Sequence, residues 1–180
     1  VVPGAGGSGI QFRFETDDLS IPPKFQPAVQ EGAFFAAQGG LDLGFPVIDV
    51  EVVVTGGRFF EAESTETAFG AAGGDAFRDA ADAAGLVILE PVMRFEVSTP
   101  SDFVGPIQSD LARRGAVVEG EEMRGAMRVI RGTVALSEMF GYSTTVRSLS
   151  QGRASYTMEP AGFREVSKDV AKRLTFADWA

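Results

Sequence analysis

Hydrophobic patterns divide the start of the chain into a strand and a helix. Apolar and polar residues alternate over residues 10–16, which is typical of a half-buried strand. Over residues 25–36 the apolar residues recur at helical spacing instead. Pro22-Pro23 precedes this run, and proline is tolerated in a first helical turn because its missing N–H would have no partner there. Gly39-Gly40 follows the run, so we expect the helix to end there.

A strand, a hairpin and a glycine-rich helix are predicted next. Residues 47–55 have the alternation of a strand, and Gly56-Gly57 suits a two-residue hairpin turn, which needs positive φ. The six residues after the turn are expected to form the returning strand. Ser64 is the predicted N-cap of a helix over residues 67–84. The glycines inside this helix predict either a close approach to the sheet or a frayed helix. The predicted apolar side of this helix is Phe69, Ala72, Ala76 and Ala80.

The pattern restarts after residues 85–91. Predicted strands and helices then follow in the order β-α-β-β-α-β, which is the ferredoxin-like arrangement of two helices on one face of an antiparallel sheet. Ser101 and Ser137 are the expected helix N-caps, and Pro106 is expected to kink the first helix or to delay its start. A short terminal helix is expected over residues 168–176. The predicted strands are 93–98, 116–119, 126–136 and 153–159.

The amino-acid composition excludes several classes of enzyme chemistry for this chain. The 180 residues include no Cys and no His, so disulfides, thiolate metal sites and the commonest general base are absent. No carboxylates have an acid–base or metal-binding spacing, and we expect no catalytic residues and no metal site in this chain. Asp17-Asp18 is interpreted as a solvated turn, and Asp79 and Asp82 as a solvated helix face.

Charge is divided unevenly between the two halves. Residues 1–90 hold 4 Lys/Arg and 14 Asp/Glu, a net charge of −10, whereas residues 91–180 hold 12 and 11, a net charge of +1. Non-specific nucleic-acid binding needs many cations, so any RNA contact of the first half must be local. The difference also supports two α+β domains, residues 1–88 and residues 89–180. No apolar run reaches the ~18 residues of a membrane span, and the Val1 start indicates a fragment of a longer protein.

Glycines near the start form no phosphate-binding motif. Residues 4–9 are glycine-rich, but they precede a strand, whereas a phosphate loop leads into a helix N-terminus. We interpret them as a flexible turn, and we expect no nucleotide site in this chain.

The predicted hairpin tip carries a basic residue followed by two aromatics. Alternation directs only one of Phe59 and Phe60 to the core, and an exposed aromatic beside Arg58 is suited to stacking on nucleotides. The alternative is that local twist buries both rings. The candidate tip residues are Thr55, Gly56, Gly57, Arg58, Phe59 and Phe60.

Long motifs resemble bacterial elongation factor G. The segments 136–142 and 151–159, LSEMFGY and QGRASYTME, look like the fifth domain of that family almost residue for residue. The segments 44–47 and 64–69, GFPV and STETAF, resemble its fourth domain, and residues 89–93 resemble the junction between the two. The resemblance covers nearly the whole chain and disfavours a ribosome-protection protein.

The resemblance implies the C-terminal arm of a five-domain GTPase that moves tRNA and mRNA on the ribosome. It implies a ferredoxin-like second domain and a partial ribosomal-protein-S5-like first domain. GTP and Mg would bind in the parent's N-terminal domain, outside this chain. The implied partners are ribosomal RNA and the tRNA–mRNA duplex of the decoding region in the cytoplasm, with no membrane or DNA partner. The candidate ribosome contacts in the second domain are Arg113, Arg114, Arg147, Gln151 and Arg153.

The sequence departs from the family pattern in two ways, and these departures leave alternative functions open. The fourth domain lacks its first strand and its glycine-rich tip loop, and Phe60 stands where the family usually has a histidine close to the tRNA–mRNA duplex. Phenylalanine can stack but cannot donate a hydrogen bond or carry charge. One alternative is therefore a paralogue specialised for ribosome recycling or rescue. Another is a stand-alone RNA- or ribosome-interaction module, which an upstream phosphate loop would exclude. Without the resemblance, the arginines would be interpreted as ordinary surface partners of Glu119, Glu121 and Glu122.

Overall fold

The chain is divided into two units, one formed within residues 1–88 and residues 170–171, and one formed within residues 89–167. The computed structural model describes residues 1–17, 19–41, 44–167 and 170–171. Within residues 1–17, 19–41 and 44–167 the two units contain two sheets and four α-helices. The mixed α+β class that the sequence predicts is confirmed.

The first unit is a three-stranded sheet with two helices. The elements are β1 (Val2–Pro3), β2 (Ile10–Phe14), α1 (Gln26–Gln38), β3 (Val50–Val54) and α2 (Glu66–Ala84). The central strand β3 pairs antiparallel with β1 and parallel with β2, with Phe12 opposite Val52. Apolar side chains of the strands and of the helices form the core, in which Val52, Ala37 and Phe77 are buried.

Glycines let α1 and α2 cross at very short range. A Cβ atom on Gly73 would lie 2.5 Å from the carbonyl oxygen of Val29, and one on Gly32 would overlap the carbonyl oxygen of Gly70. The close approach predicted for α2 therefore joins two helices rather than a helix and a sheet, and the alternative of a frayed helix is wrong. The predicted apolar side is also partly wrong, because Ala72 and Ala76 are exposed while Gly73 and Gly74 are buried.

The predicted hairpin after β3 does not form. Residues 55–60 carry no strand hydrogen bonding, and neither Gly56 nor Gly57 has positive φ. Glycine at position 57 instead leaves room for the side chain of Ile21, because a Cβ there would lie 2.7 Å from Cγ1 of Ile21. The helix N-cap is also shifted by one residue, to Thr65, whose Oγ1 accepts from the N–H of Ala68.

The second unit is the ferredoxin-like domain that the sequence predicts. The elements are β4 (Leu89–Pro100), α3 (Val104–Arg113), β5 (Val117–Arg124), β6 (Met127–Ala135), α4 (Tyr142–Leu149) and β7 (Ser155–Glu165). The antiparallel sheet has the order β5-β6-β4-β7, and α3 and α4 cover one face. Phe95, Ile130 and Tyr142 are fully buried between the sheet and the helices.

Neither predicted N-cap of this unit is used. Ser101 begins a 3-10 turn, and α3 starts only after that turn, at Val104. Pro106 is therefore the third residue of the helix, where its missing N–H costs nothing. Of the two expected effects of Pro106, the structure has the delayed start. The hydroxyl of Ser137 donates to Glu90 at 2.8 Å, and α4 begins only after Gly141, which has φ 73°. Most of the predicted terminal helix lies outside the described residues.

Candidate nucleic-acid interface

The segment 55–60, which we call the tip loop, is fastened at its end by Ser64. The hydroxyl of Ser64 accepts from the N–H of Phe60 at 2.9 Å, and the N–H of Ser64 donates to the carbonyl of Phe60 at 2.9 Å. This reciprocal pair fixes the backbone of Phe60, while its side chain remains 57% exposed. An exposed aromatic ring of this kind is suited to stacking on a nucleotide base.

Phe59 points the other way. Its ring centre lies 5.7 Å from that of Phe25, which in turn stacks on Phe69 at 4.6 Å. The ammonium of Lys24 lies 4.7 Å from the Phe25 ring centre and 5.9 Å from that of Phe59. The alternative in which both tip phenylalanines are buried is therefore wrong. Phe59 holds the loop to the core, and Phe60 presents its ring to solvent.

Arg58 is the cation of the tip loop. Its side chain is exposed, and it makes no ion pair or side-chain hydrogen bond within residues 1–17, 19–41 and 44–167. Glu61 and Glu63 follow closely and are also exposed. The local charge is therefore not basic overall, and attraction of a phosphate backbone would depend on Arg58 itself.

An apolar groove of about 590 Å³ runs beside the tip loop. Valines of β3 and the exposed alanines of α2 form its walls, and Arg58 and Phe60 lie among its lining residues. Its position explains why Ala72 and Ala76 are not covered by the sheet. The inner side of the tip loop is thus reached by solvent as well as the outer side.

The glycine-rich segment at the start of the chain is closed around a carboxylate. The N–H groups of Gly7 and Gly9 donate to Asp49 at 3.0 and 2.9 Å, and the N–H of Gly4 donates to the carbonyl of Asp49 at 2.7 Å. The hydrogen bonds from Gly7 and then Gly9 lower the pKa of the Asp49 carboxyl. The segment contains a turn, and the amides of Gly4, Gly7 and Gly9 are already used by Asp49.

Arg113 and Arg114 both pair with the buried carboxylate of Asp110, at 2.9 and 2.8 Å. Arg114 also donates to the Thr145 hydroxyl at 3.2 Å and to the carbonyl of Glu138, and its guanidinium lies 5.2 Å from the Tyr142 ring centre. Only 19% of the Arg114 side chain is exposed, against 72% for Arg113. Arg114 therefore joins α3 to α4, whereas Arg113 remains accessible.

The other three candidates lie in the last turn of α4, which holds Arg147, and in the turn between α4 and β7, which holds Gln151 and Arg153. Arg147 is exposed and makes no ion pair or side-chain hydrogen bond in the described part of the chain. The guanidinium of Arg153 lies 4.7 Å from the Phe103 ring centre. Gln151 has φ 54° and is exposed, and the buried Ser150 hydroxyl fastens the turn by accepting from the backbone N–H four residues later at 3.0 Å. The end of α4 and the turn after it thus offer an exposed basic surface.

Other arginines of this unit are occupied on the open face of the sheet. Arg131 binds Glu96 at 2.8 Å and Glu122 at 2.7 Å, and Arg124 binds the same two carboxylates at 3.1 and 3.0 Å. The hydrogen bond from Arg131 is the main cause that lowers the pKa of both Glu96 and Glu122. Surface arginines therefore do pair with Glu122, as the interpretation without the resemblance predicts. Because Arg124 and Arg131 are paired, their guanidinium groups are not free to bind phosphate.

Family comparison covers nearly the whole chain. Residues 1–85 match a family described as elongation factor G, domain IV, and residues 87–174 match one described as elongation factor G C-terminus. The chain belongs to the elongation factor G family. A solved structure from Thermus thermophilus is similar to it with a TM-score of 0.89 and 34% identity over 96% of this chain. The chain spans 26% of the length of that protein.

Two kinds of feature are absent from the described part of this elongation factor G region. No helix there is long and apolar enough to cross a bilayer. Within the same residues, no group of three or more Asp, Glu, His or Cys side chains could hold a metal ion.

Sequence reasoning misses the residues that hold the site in place. Asp49 and Lys24 each act on groups that only the fold brings near. Ser64 instead bonds to Phe60, four residues earlier. The sequence predicts Ser64 as a helix cap, and a small hydroxyl side chain before a helix gives the same signal for both roles. Nothing in the sequence links Asp49 to glycines about 40 residues earlier.

Proposed function

We propose that this chain is the ribosome-contacting arm of an elongation factor G-like GTPase that promotes tRNA–mRNA translocation. The observation that carries the proposal is the exposed ring of Phe60 on a backbone held by Ser64, beside the exposed Arg58, in a domain IV of this family. GTP hydrolysis with Mg is assigned to a part of the parent outside this chain. The arm itself contributes binding and no catalytic group, and it works in the cytoplasm, where ribosomes translate.

The tip loop would act by stacking and by a single phosphate contact. The Phe60 ring offers a flat apolar surface to an unpaired or terminal base, and Arg58 offers a planar guanidinium to a phosphate. Since Glu61 and Glu63 lie nearby, the contact relies on shape and position rather than on general attraction. The residues that would bring the loop close to RNA, because they are exposed and have small side chains, are Thr55, Gly56 and Gly57.

The second unit would contact ribosomal RNA or protein through the last turn of α4 and the α4–β7 turn that follows it. Arg147 and Gln151 are exposed there, and Arg153 lies against an aromatic ring. Arg113 is a further accessible cation. Arg114 has a structural role in this proposal, because its donors are already used within the unit.

A toe-print assay of mRNA movement by the full-length parent with GTP tests the tip loop. Wild-type protein is expected to shift pre-translocation ribosomes by one codon. Arg58→Ala/Phe60→Ala is expected to slow that shift at least about fivefold, since stacking contributes ~1–3 kcal/mol per base. Phe163→Ala, which removes an exposed phenylalanine from the other unit, is the matched control and should leave the rate unchanged. An unchanged rate in the tip variant would exclude this role for Arg58 and Phe60.

Phe60 also favours a second candidate function, a paralogue for ribosome recycling or rescue. A ring without donor or charge stands where the resemblance implies a histidine, so the usual contact with the tRNA–mRNA duplex is altered. For this candidate, the parent hydrolyses GTP on ribosomes but produces no one-codon shift. Light scattering of 70S ribosomes would then report subunit splitting, and Phe60→His would be expected to restore part of the toe-print shift.

A further inference from the structure

We propose that a second surface of the first unit docks a basic protein segment that inserts an apolar side chain. This surface, which we call the Phe35 face, consists of Phe34, Phe35, Glu31, Asp79 and Asp82 on α1 and α2. It is separate from the tip loop in both residues and chemistry. The inference rests on the proposed function in one respect: the partner segment is one that the protein meets on the ribosome.

Two adjacent phenylalanines give the Phe35 face its apolar part. Phe34 is 42% exposed and Phe35 is 64% exposed, with their rings edge to face and the ring centres 6.4 Å apart. The buried side of α1 already consists of Val29 and small alanines, so neither ring is needed for the core. Large aromatic side chains contribute strongly to interfaces when they become covered, and their exposure together marks a contact surface.

A shallow cavity lies beside the ring of Phe35. Its volume is about 230 Å³, and its lining includes Phe35, Leu41, Gly39 and Asp82. The apolar and acidic groups together provide space for one side chain with a carboxylate at its edge. This geometry fits a single anchoring residue of a partner better than a flat, extended contact.

Exposed carboxylates lie on the same two helices as this apolar part, and Asp82 lines the cavity beside Phe35. Arg78 also lines the cavity, but its guanidinium is paired with Asp75 at 2.7 Å. Glu31, Asp79 and Asp82 are exposed and make no ion pair or side-chain hydrogen bond within the described residues. Residues three or four apart are neighbours on a helix surface, so Glu31 lies near the Phe35 ring on α1, and the two aspartates lie near each other on α2.

The sign of this charge selects the class of partner. RNA would bring phosphates against these carboxylates, which is unfavourable. A segment with Lys or Arg next to an apolar residue would satisfy both the carboxylates and the phenylalanines, and charge complementarity would orient it. The same complementarity disfavours a second copy of this face, because two acidic surfaces repel one another.

The test places the photoreactive amino acid benzoylphenylalanine at Phe34 of the full-length parent. The labelled protein is irradiated on ribosomes with a non-hydrolysable GTP analogue, and a parallel sample carries the label at Phe60. We expect the label at position 34 to attach to a ribosomal protein at a peptide containing Lys or Arg. We expect the label at position 60 to attach to RNA, which reports on the tip loop separately.

Second-site variants decide whether the Phe35 face causes the attachment. Phe35→Gln and Asp79→Asn/Asp82→Asn are each expected to lower the protein cross-link from position 34 at least about fivefold, whereas Phe163→Gln should leave it unchanged. Circular dichroism of each variant checks that it is folded. Attachment from position 34 to RNA, to another part of the parent or to a second copy overturns the proposal, as does no attachment. The position 60 sample keeps these outcomes distinct from failure of the proposed function.

Discussion

Asp49 shows how one carboxylate orders a whole segment at the residue scale. Its oxygens accept the N–H groups of Gly7 and Gly9, and its own φ of 55° is an uncommon conformation for a residue other than glycine. The amides stabilise the ionised form and so lower the pKa of Asp49. The stabilisation is therefore fully present above the unfolded-state pKa, which is ~3.9, and is lost as pH falls through the lower folded pKa.

The first prediction concerns Asp49→Asn. The variant should be less stable than wild type at pH 7, and this difference should shrink as pH falls from ~4, the unfolded-state pKa, through the lower folded-state pKa of the Asp49 carboxyl. Urea unfolding at several pH values measures it. Asp82→Asn is the control, because the Asp82 carboxylate is exposed and makes no ion pair or hydrogen bond with the described residues. A pH-independent difference between wild type and Asp49→Asn would contradict the explanation.

In the second unit, Arg114 has a role like that of Asp49 in the first, because one side chain holds several groups together. Removing its side chain would leave the buried Asp110 with Arg113 alone and would also remove the link to Thr145 on α4. We predict that Arg114→Ala destabilises the unit by about 1–3 kcal/mol, the usual cost of leaving a buried polar group with fewer partners. Arg113→Ala should cost no more than about 1 kcal/mol, as an exposed ion pair does. Equal losses in urea unfolding would contradict these assignments.

At the scale of the elements, α1 and α2 can cross closely because the residues at the crossing are glycines, which have no side chain. We predict that Gly73→Ala destabilises the first unit, although alanine favours a helix by ~1 kcal/mol over glycine. The new Cβ would lie 2.5 Å from the Val29 carbonyl oxygen, and overpacking of this kind costs about 1–3 kcal/mol. Gly105→Ala in α3 is the matched control, since a Cβ there meets nothing within 4 Å, and it should be neutral or stabilising. Thermal unfolding of both variants tests this difference.

Element types can be predicted from the sequence because each pattern depends on local periodicity. The strand at residues 10–14 and the β-α-β-β-α-β order of the second unit follow from alternation and turn residues alone. The hairpin predicted at Gly56-Gly57 is wrong because glycine suits a turn and a close contact equally. Only the fold reveals that Gly57 meets Ile21, and that Gly73 meets another helix rather than the sheet.

The roles of the arginines cannot be predicted for a similar reason. Arg114 and Arg147 both lie near a helix end in the sequence. Asp110 lies one helical turn before Arg114 and is buried with it, whereas Arg147 pairs with no carboxylate among the described residues. Alternation correctly predicts one exposed aromatic in the tip loop, although the loop is not a strand. The contact between Phe59 and Phe25, and not strand alternation, is the reason why only one of the two rings is exposed.

For the whole molecule, the important quantity is the number of cations that are free to meet phosphate. The second half of the sequence carries 12 Lys/Arg, but several of its arginines are paired with carboxylates of the same unit. Arg147 differs from them in having no such pair among the described residues, and it lies in the last turn of α4. Net charge is therefore a poor guide to RNA affinity in this chain, and individual pairing is a better one.

The last prediction compares two arginines that carry the same charge. In the full-length parent, Arg147→Gln should weaken ribosome binding and lower the slope of log affinity against log salt by about 0.7–0.9, as expected for one lost phosphate contact. Arg94→Gln changes the net charge equally but removes a guanidinium already bound to Glu159 at 3.1 Å, so the slope should change little. Sedimentation at several salt concentrations measures both. Equal effects would mean that overall charge governs binding; a loss for Arg147→Gln without a change in slope would point to a protein contact rather than to RNA.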